Sequence, residues 1–201
     1  LLSDDVIYDH LVGKKVLGIY PILENDCCNF LAIDFDKHNW KKDVNAFYQT
    51  CNKLGVESSI EISRSGNGAH IWISFAEEIT AKIARKLGFV LISETMKMGN
   101  LLGMDSYDRM FPNQDYLPVG GFGNLIALPL QKMVRKYDCS VFVSSEFKVI
   151  PDQWAYLSSV KKLSFNDLVQ IIKNKTIPIP KTIINKNKKE QMHDHNSNLA
   201  R

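Results

Sequence analysis

A mixed α/β or α+β domain, with helices on one face of a sheet, is what this sequence predicts, and three observations carry the prediction. Strand-like and helix-like segments interleave along the chain rather than falling into blocks. The apolar run Phe30-Leu31-Ala32-Ile33 closes in Asp34-Phe35-Asp36, the pattern of a buried strand with two acids at its end. Two further strand-like pieces, residues 58–62 and 71–75, flank the glycine-rich stretch Ser63-Arg64-Ser65-Gly66-Asn67-Gly68-Ala69-His70.

The elements follow in order. Residues 6–11 read as a helix and 16–20 as extended chain ending at Pro21, and the turn Glu24-Asn25-Asp26 leads into the acidic strand. Residues 43–54 place Val44, Phe47, Tyr48, Cys51 and Leu54 at spacings of three and four with Gly55 as a stop, the mark of an amphipathic helix. A second helix spans 80–98, with Ile83, Leu87, Val90 and Leu91 as its buried stripe. Residues 99–131 are broken by glycines and prolines yet carry Tyr107, Phe111, Tyr116, Phe122 and the apolar run 125–130, so a structured active-site loop is expected there. Ser164 with Asp167 caps a last short helix through Lys173. The folded domain is placed at 1–176. Residues 177–201, rich in Asn and Lys, cannot bury a core and read as a polar linker or disordered tail; His193-Asp194-His195 belongs to that tail.

Composition sets bounds. At 201 residues, 45% hydrophobic and 23% charged, the chain is long enough for one good core. No apolar run is long enough to span a membrane and no signal peptide opens the chain, so no membrane partner is expected. Cys27, Cys28, Cys51 and Cys139 lack C-x-x-C spacing, which argues against zinc ribbons and redox motifs and for reduced thiols in a cytoplasmic protein. A net charge of +3 permits nucleic-acid binding without demanding it. The chain begins with Leu1, and a piece of a longer protein is expected.

The chemistry lies in the two motifs. Side chains two apart on a strand point the same way, so Asp34 and Asp36 sit side by side and repel. A hard divalent cation, Mg²⁺ or Mn²⁺, relieves that repulsion and leaves positions open for phosphate. Gly66 and Gly68 let a backbone turn approach a ligand closely and aim N–H groups at an anion, with Arg64, Ser65 and His70 as added donors. It is not a Walker A loop, since no Gly-Lys-Ser/Thr occurs and no helix follows. Alone, Asp-x-Asp suits a surface turn, the glycine stretch a hairpin, and His70 a hydrogen-bonded core histidine. Together they read as a metal-dependent enzyme acting on phosphates. Lys14, Lys15, Arg135 and Lys136 are candidates for phosphate-backbone contacts, or simply a solvated basic surface. Tyr107 and Phe111 are candidate base-stacking residues, whereas Trp72 and Trp154 read as core.

These residues resemble the three-motif signature of archaeo-eukaryotic primases: Asp34-x-Asp36, Ser65-Gly-x-Gly-x-His70, then a later Asp in an aromatic setting. The nearer likeness is to the primase domain of TOTE conflict systems, the more distant to the polymerase domain of bacterial end-joining ligases. It extends over about residues 8–160, through the stretches at 10–16, 30–36, 63–72, 106–115 and 120–129. The resemblance implies an α+β primase fold, an RNA-recognition-like catalytic core packed with a second small α/β unit. It implies template-directed nucleotidyl transfer with two divalent metals, Mg²⁺ or Mn²⁺. Asp34, Asp36 and Asp108 would be catalytic metal ligands, with Asp115 the second choice for the third carboxylate. His70 would contact the nucleotide's phosphates; the residues themselves add Arg64, Ser65 and the Gly66–Gly68 turn as nucleotide-binding donors, and Arg109, Asn113 and Gln114 as candidates either for phosphates or a template base or for ordinary loop hydrogen bonds. Implied partners are nucleoside triphosphates, a single-stranded or primed DNA template, and a helicase domain in the same polypeptide. The rival readings are a metal-dependent nuclease, for which Lys37 and His38 beside Asp36 could activate water, and a non-catalytic nucleic-acid-binding module.

Overall fold

The computed structural model of the protein describes residues 3–98 and 104–175. Residues 99–103 of the expected loop, and the expected tail at 177–201 with its His193-Asp194-His195, lie outside the described residues.

The acidic run becomes strand β2 (Cys27–Phe35), the axis of the sheet. Leu31, Ile33 and Phe35 face two helices and are fully buried. Ala32, pointing the other way, is buried too, under Phe111 and Ile126. Burial on both faces explains why the run is continuously apolar, and why alternation shows only at Asp34. Helix α2 (Trp40–Lys53) follows, burying Val44, Phe47 and Cys51. It starts three residues before the helix expected at 43–54, with Asn39 as its N-cap. Phe47 meets Phe35 edge-on, ring centroids 5.6 Å apart. Each such ring taken out of water contributes about 1.5–3 kcal/mol.

Strand β3 (Ser59–Ile62) and strand β4 (Ala69–Thr80) form the hairpin around the glycine loop. Helix α3 (Ala81–Met98) then lies on the sheet through Ala84, Leu87 and Leu91; Ile83, expected in its stripe, is only partly buried. Strand β5 (Tyr107–Phe111) closes the unit. The order β2-α2-β3-β4-α3-β5 with spatial order β5-β2-β4-β3, every neighbour antiparallel, is the split β-α-β arrangement of RNA-recognition-type cores. Strand β7 (Phe142–Val143) extends the sheet beyond β3.

The smaller part is modest. Strand β1 (Gly18–Ile19) pairs with β6 (Ile126–Ala127) as a two-stranded ribbon. Helix α1 (Asp4–Leu11) is tied to it by buried His10, whose Nδ1 accepts from Leu17 N–H and whose Nε2 donates to Pro129 O at 2.9 Å. The short helix α4 (Lys132–Arg135) joins α1 through Arg135, which donates to Leu11 O. Helix α5 (Gln153–Ser159) follows β7, and α6 (Phe165–Asn174) packs on α3 and β4. Ser164 caps α6 by accepting from Asp167 N–H, as the sequence suggested. Trp154, read as core, is instead 54% exposed in the first turn of α5, because its strand-like context is in fact a capped helix start.

Candidate active site

One transverse row of the sheet carries most of the polar chemistry. Glu61 of β3 pairs with His70 of β4, His70 with Asp34 of β2, and Asp34 with Arg109 of β5. Side chains paired across antiparallel strands share a face, so the four stand in line on the face opposite α2 and α3. Glu61 is 2% exposed, and one of its oxygens, Oε2, accepts both His70 Nδ1–H at 2.9 Å and Trp72 Nε1–H at 2.8 Å. That bond fixes the ring so that His70 Nε2 faces Asp34 Oδ1, 3.6 Å away.

Asp108 joins the row through an irregularity. Arg109 opposes Asp34 and Tyr107 opposes Phe35, so Asp108 is an extra residue with no partner on β2. A bulge of this kind re-aims a side chain. Here it leaves Asp108 near enough to raise the Asp34 pKa, with its Oδ2 2.6 Å from Arg109 Nε. The strand begins at Tyr107 and carries Asp108 within it, inside the stretch that the sequence suggested would be an irregular loop.

Asp36 lies just past the end of β2 and is exposed; its Oδ1 accepts Lys37 N–H at 2.7 Å. Its own N–H donates to Ser106 O at 2.7 Å. Ser106, fully buried, in turn donates its N–H and its hydroxyl to Asp43 Oδ2 of α2, the latter at 2.6 Å. Ser106 therefore clamps the end of β2, the start of β5 and α2 together, two residues from Asp108.

The glycine loop closes against the same strand end. Ser63 N–H donates to Gly68 O and Ser65 Oγ accepts Asn67 N–H. A Cβ on Gly68 would lie 2.3 Å from Phe35 O, so only glycine permits this approach. Gly66 has φ +75°, and Arg64 and Ser65 beside it are exposed.

Charge is poised at this end of the sheet. Burial raises the Asp34 pKa; His70 and Arg109 oppose that, while Asp108 and Asp36 add to it. Burial works against the charged form of His70, but the Glu61 hydrogen bond, the Glu61 charge and the Asp34 charge outweigh it and raise its pKa. Arg109 is raised by its bond to Asp108.

For a divalent cation the donor chemistry is suitable: the hard carboxylates of Asp34, Asp36 and Asp108 lie at one end of the sheet, and Asp34 is partly desolvated and destabilised by the other two. Among the described residues, no three His, Cys, Asp or Glu side chains are yet gathered as a ligand cluster. Asp36 and Asp108 would turn to an ion from Lys37 N–H and from Arg109.

Other candidates fall elsewhere. Asp115 is ion-paired with Arg85 of α3 at 2.7 Å, in the loop beyond Phe111. Asn113 and Gln114 sit in that loop, past the Ala32–Phe111 pair and toward the start of β2. Asn113 N–H donates to Asn124 Oδ1, and Gln114 Nε2 to Tyr116 O. Phe111, read as a stacking residue, is 5% exposed because it covers Ala32 beside Ile126; Tyr107 is half-buried. Lys14 and Lys15 pair with Asp9. Trp72, read as core, is partly buried on the face that carries His70, with Phe30 5.2 Å away. Glu61, Asp43 and Ser106 were missed. For Glu61 a signal existed, a single acid between Ile60 and Ile62 in a strand-like segment; for Ser106 nothing local announces the clamp.

A split β-α-β core with acids at the end of its first strand, and a glycine loop and histidine on the adjacent hairpin, defines a primase-type domain. The family model for the archaeo-eukaryotic primase domain of TOTE conflict systems matches residues 1–171, and the chain belongs to that family. No curated protein matches it.

Proposed function

We propose that the chain is a template-directed nucleotidyltransferase, a DNA primase/polymerase in which Asp34, Asp36 and Asp108 hold two Mg²⁺ or Mn²⁺ ions. The observation that supports this reading is the pairing of Asp34 with His70 and Arg109 across the sheet, with Asp36 and the bulged Asp108 close by in the chain. When bound, the ions would activate a primer 3′-hydroxyl and neutralise charge on the leaving pyrophosphate. The protein's own contribution is position. Glu61 holds His70 with Nε2 toward the carboxylates, where it can donate to a phosphate oxygen. Arg64, Ser65 and the backbone of Gly66 and Gly68 cradle the triphosphate tail. Arg109, bonded to Asp108 here, would be available to pair with phosphate were Asp108 to hold a cation. Phosphoryl transfer depends mainly on such placement and charge neutralisation. Without a primer, the same site joins two nucleotides.

The substrates on this reading are nucleoside triphosphates and a single-stranded or primed DNA template. A helicase domain in the same polypeptide, as part of a larger primase-helicase, fits the family. Among the described residues no helix is long and apolar enough to cross a membrane. The test is incorporation of labelled nucleotide on primed and unprimed single-stranded DNA with Mg²⁺ or Mn²⁺. Extension that Asp34→Asn abolishes is the expected result. Degradation of the template with no incorporation would replace this reading with a nuclease.

A further inference from the structure

A cavity of about 840 Å³ adjoins the candidate site, sharing Asp36, Gly66 and Asn67 with it. Its size suits a ligand of nucleotide scale. Three aromatic residues line it: Trp40 and Phe147 meet edge-on with centroids 5.3 Å apart, and Tyr137 is 67% exposed. Cations accompany them. Lys41 Nζ stands 5.5 Å from both the Trp40 and the Phe147 ring, and Lys37 is exposed on the rim beside His38. Lys136 Nζ lies 4.8 Å from the Tyr137 ring. The acids present are Asp36, assigned above to metal, and Asp138.

The backbone here is unusual. Eight non-glycine residues have positive φ among the described residues, and four of them line this cavity: Lys37 (74°), Asn39 (65°), Asp138 (56°) and Phe147 (60°). Non-glycine residues held in this region cost free energy, and such strain concentrates at ligand sites. Rings interleaved with lysines are the chemistry that takes unpaired bases together with their phosphates.

We infer that this cavity binds an unpaired nucleotide of a single strand next to the reacting position, its base stacked on Tyr137 and its phosphates against Lys37 and Lys41. The inference rests on the nucleotidyl-transfer reading only for the strand's purpose, because the binding itself needs neither metal nor triphosphate.

The experiment titrates the whole chain into fluorescein-labelled oligo-dT without metal or nucleotide, and separately measures triphosphate binding with Mn²⁺. Tyr137→Ala should weaken the strand on the order of tenfold, and Tyr137→Trp should restore it. Lys41→Gln should lower the slope of log affinity against log salt by about 0.7. Both positions are exposed, and an unchanged melting temperature shows that the fold is intact. Strand affinity unmoved by these changes, or triphosphate affinity lost instead, would overturn the inference. If Tyr137 and Lys41 control strand binding while the wild type incorporates nothing, the cavity stands and the nucleotidyl-transfer reading fails.

Discussion

At the scale of single residues, Glu61 decides how His70 presents itself. One buried carboxylate oxygen satisfies two donors, so Glu61→Ala would orphan both the His70 and the Trp72 N–H. Leaving one buried donor unpaired costs about 1–3 kcal/mol, which thermal unfolding of the variant should show. Glu61→Gln keeps the oxygen but adds an amide that competes with the donors, so nucleotide incorporation should fall more than stability does. Equal losses in the two measurements would reduce Glu61 to a structural residue. The cysteines offer a check on packing at the same scale. Cys28 and Cys51 are fully buried, and burial pushes each thiol up to about 12. Only Cys27 and Cys139 should react with an aromatic disulfide in the native protein, and all four after unfolding.

At the scale of elements, β5 is held in register by a contact outside itself. Ser106→Ala removes the 2.6 Å bond to Asp43 and leaves that buried carboxylate with the weaker 3.2 Å N–H bond alone. A loss of about 1–3 kcal/mol is expected on thermal unfolding. The Ser106 carbonyl that accepts Asp36 N–H remains in the variant but loses the side-chain anchor to Asp43 that positions it, so activity should drop even where the variant remains folded. At the other end, Glu94 of α3 binds Lys175, just past α6, and Lys97, each at 2.8 Å. These bonds hold the Glu94 carboxyl below its ordinary value. A depressed carboxyl stabilises the fold above its unfolded pKa, and the contribution disappears as pH falls through the folded one. The wild type should therefore lose more stability than Glu94→Gln as pH drops through the acid range, followed by thermal unfolding at successive pH values.

These elements also show what periodicity can and cannot carry. The 43–54 stripe announces α2, but Trp40, Lys41 and Lys42 ahead of it have no apolar spacing, so its first turn was hidden. Strand β5 was hidden for a related reason. Asp108 and Arg109 sit in mid-strand, and a bulge breaks the alternation that would reveal them. Asp34, Asp36, Gly66, Gly68 and His70 could be found because each answers a local demand of charge or backbone. Glu61, Asp43 and Ser106 act through partners 9 to 63 residues away, which no local pattern records.

At the scale of the molecule, the sheet has two faces with separate tasks. One buries Leu31, Ile33, Phe35, Ile71 and Ile73 against α2, α3 and α6 and supplies the core. The other gathers Glu61, His70, Asp34 and Arg109 in a line and stays open at the end where Asp36, Asp108 and the glycine loop meet. The same strands thus anchor the fold and aim the polar groups, so a catalytic substitution on the open face can leave the core intact.

That separation makes one comparison decisive. Asp108 stands beside Asp34, whereas Asp115 is engaged with Arg85 of α3. Nucleotide incorporation on primed single-stranded DNA should be measured for Asp108→Asn and Asp115→Asn side by side, with melting temperatures. Asp108→Asn is expected to lose at least about 100-fold in rate at an unchanged melting temperature, and Asp115→Asn to stay near wild type. Full activity in Asp108→Asn with loss in Asp115→Asn would contradict the site described here.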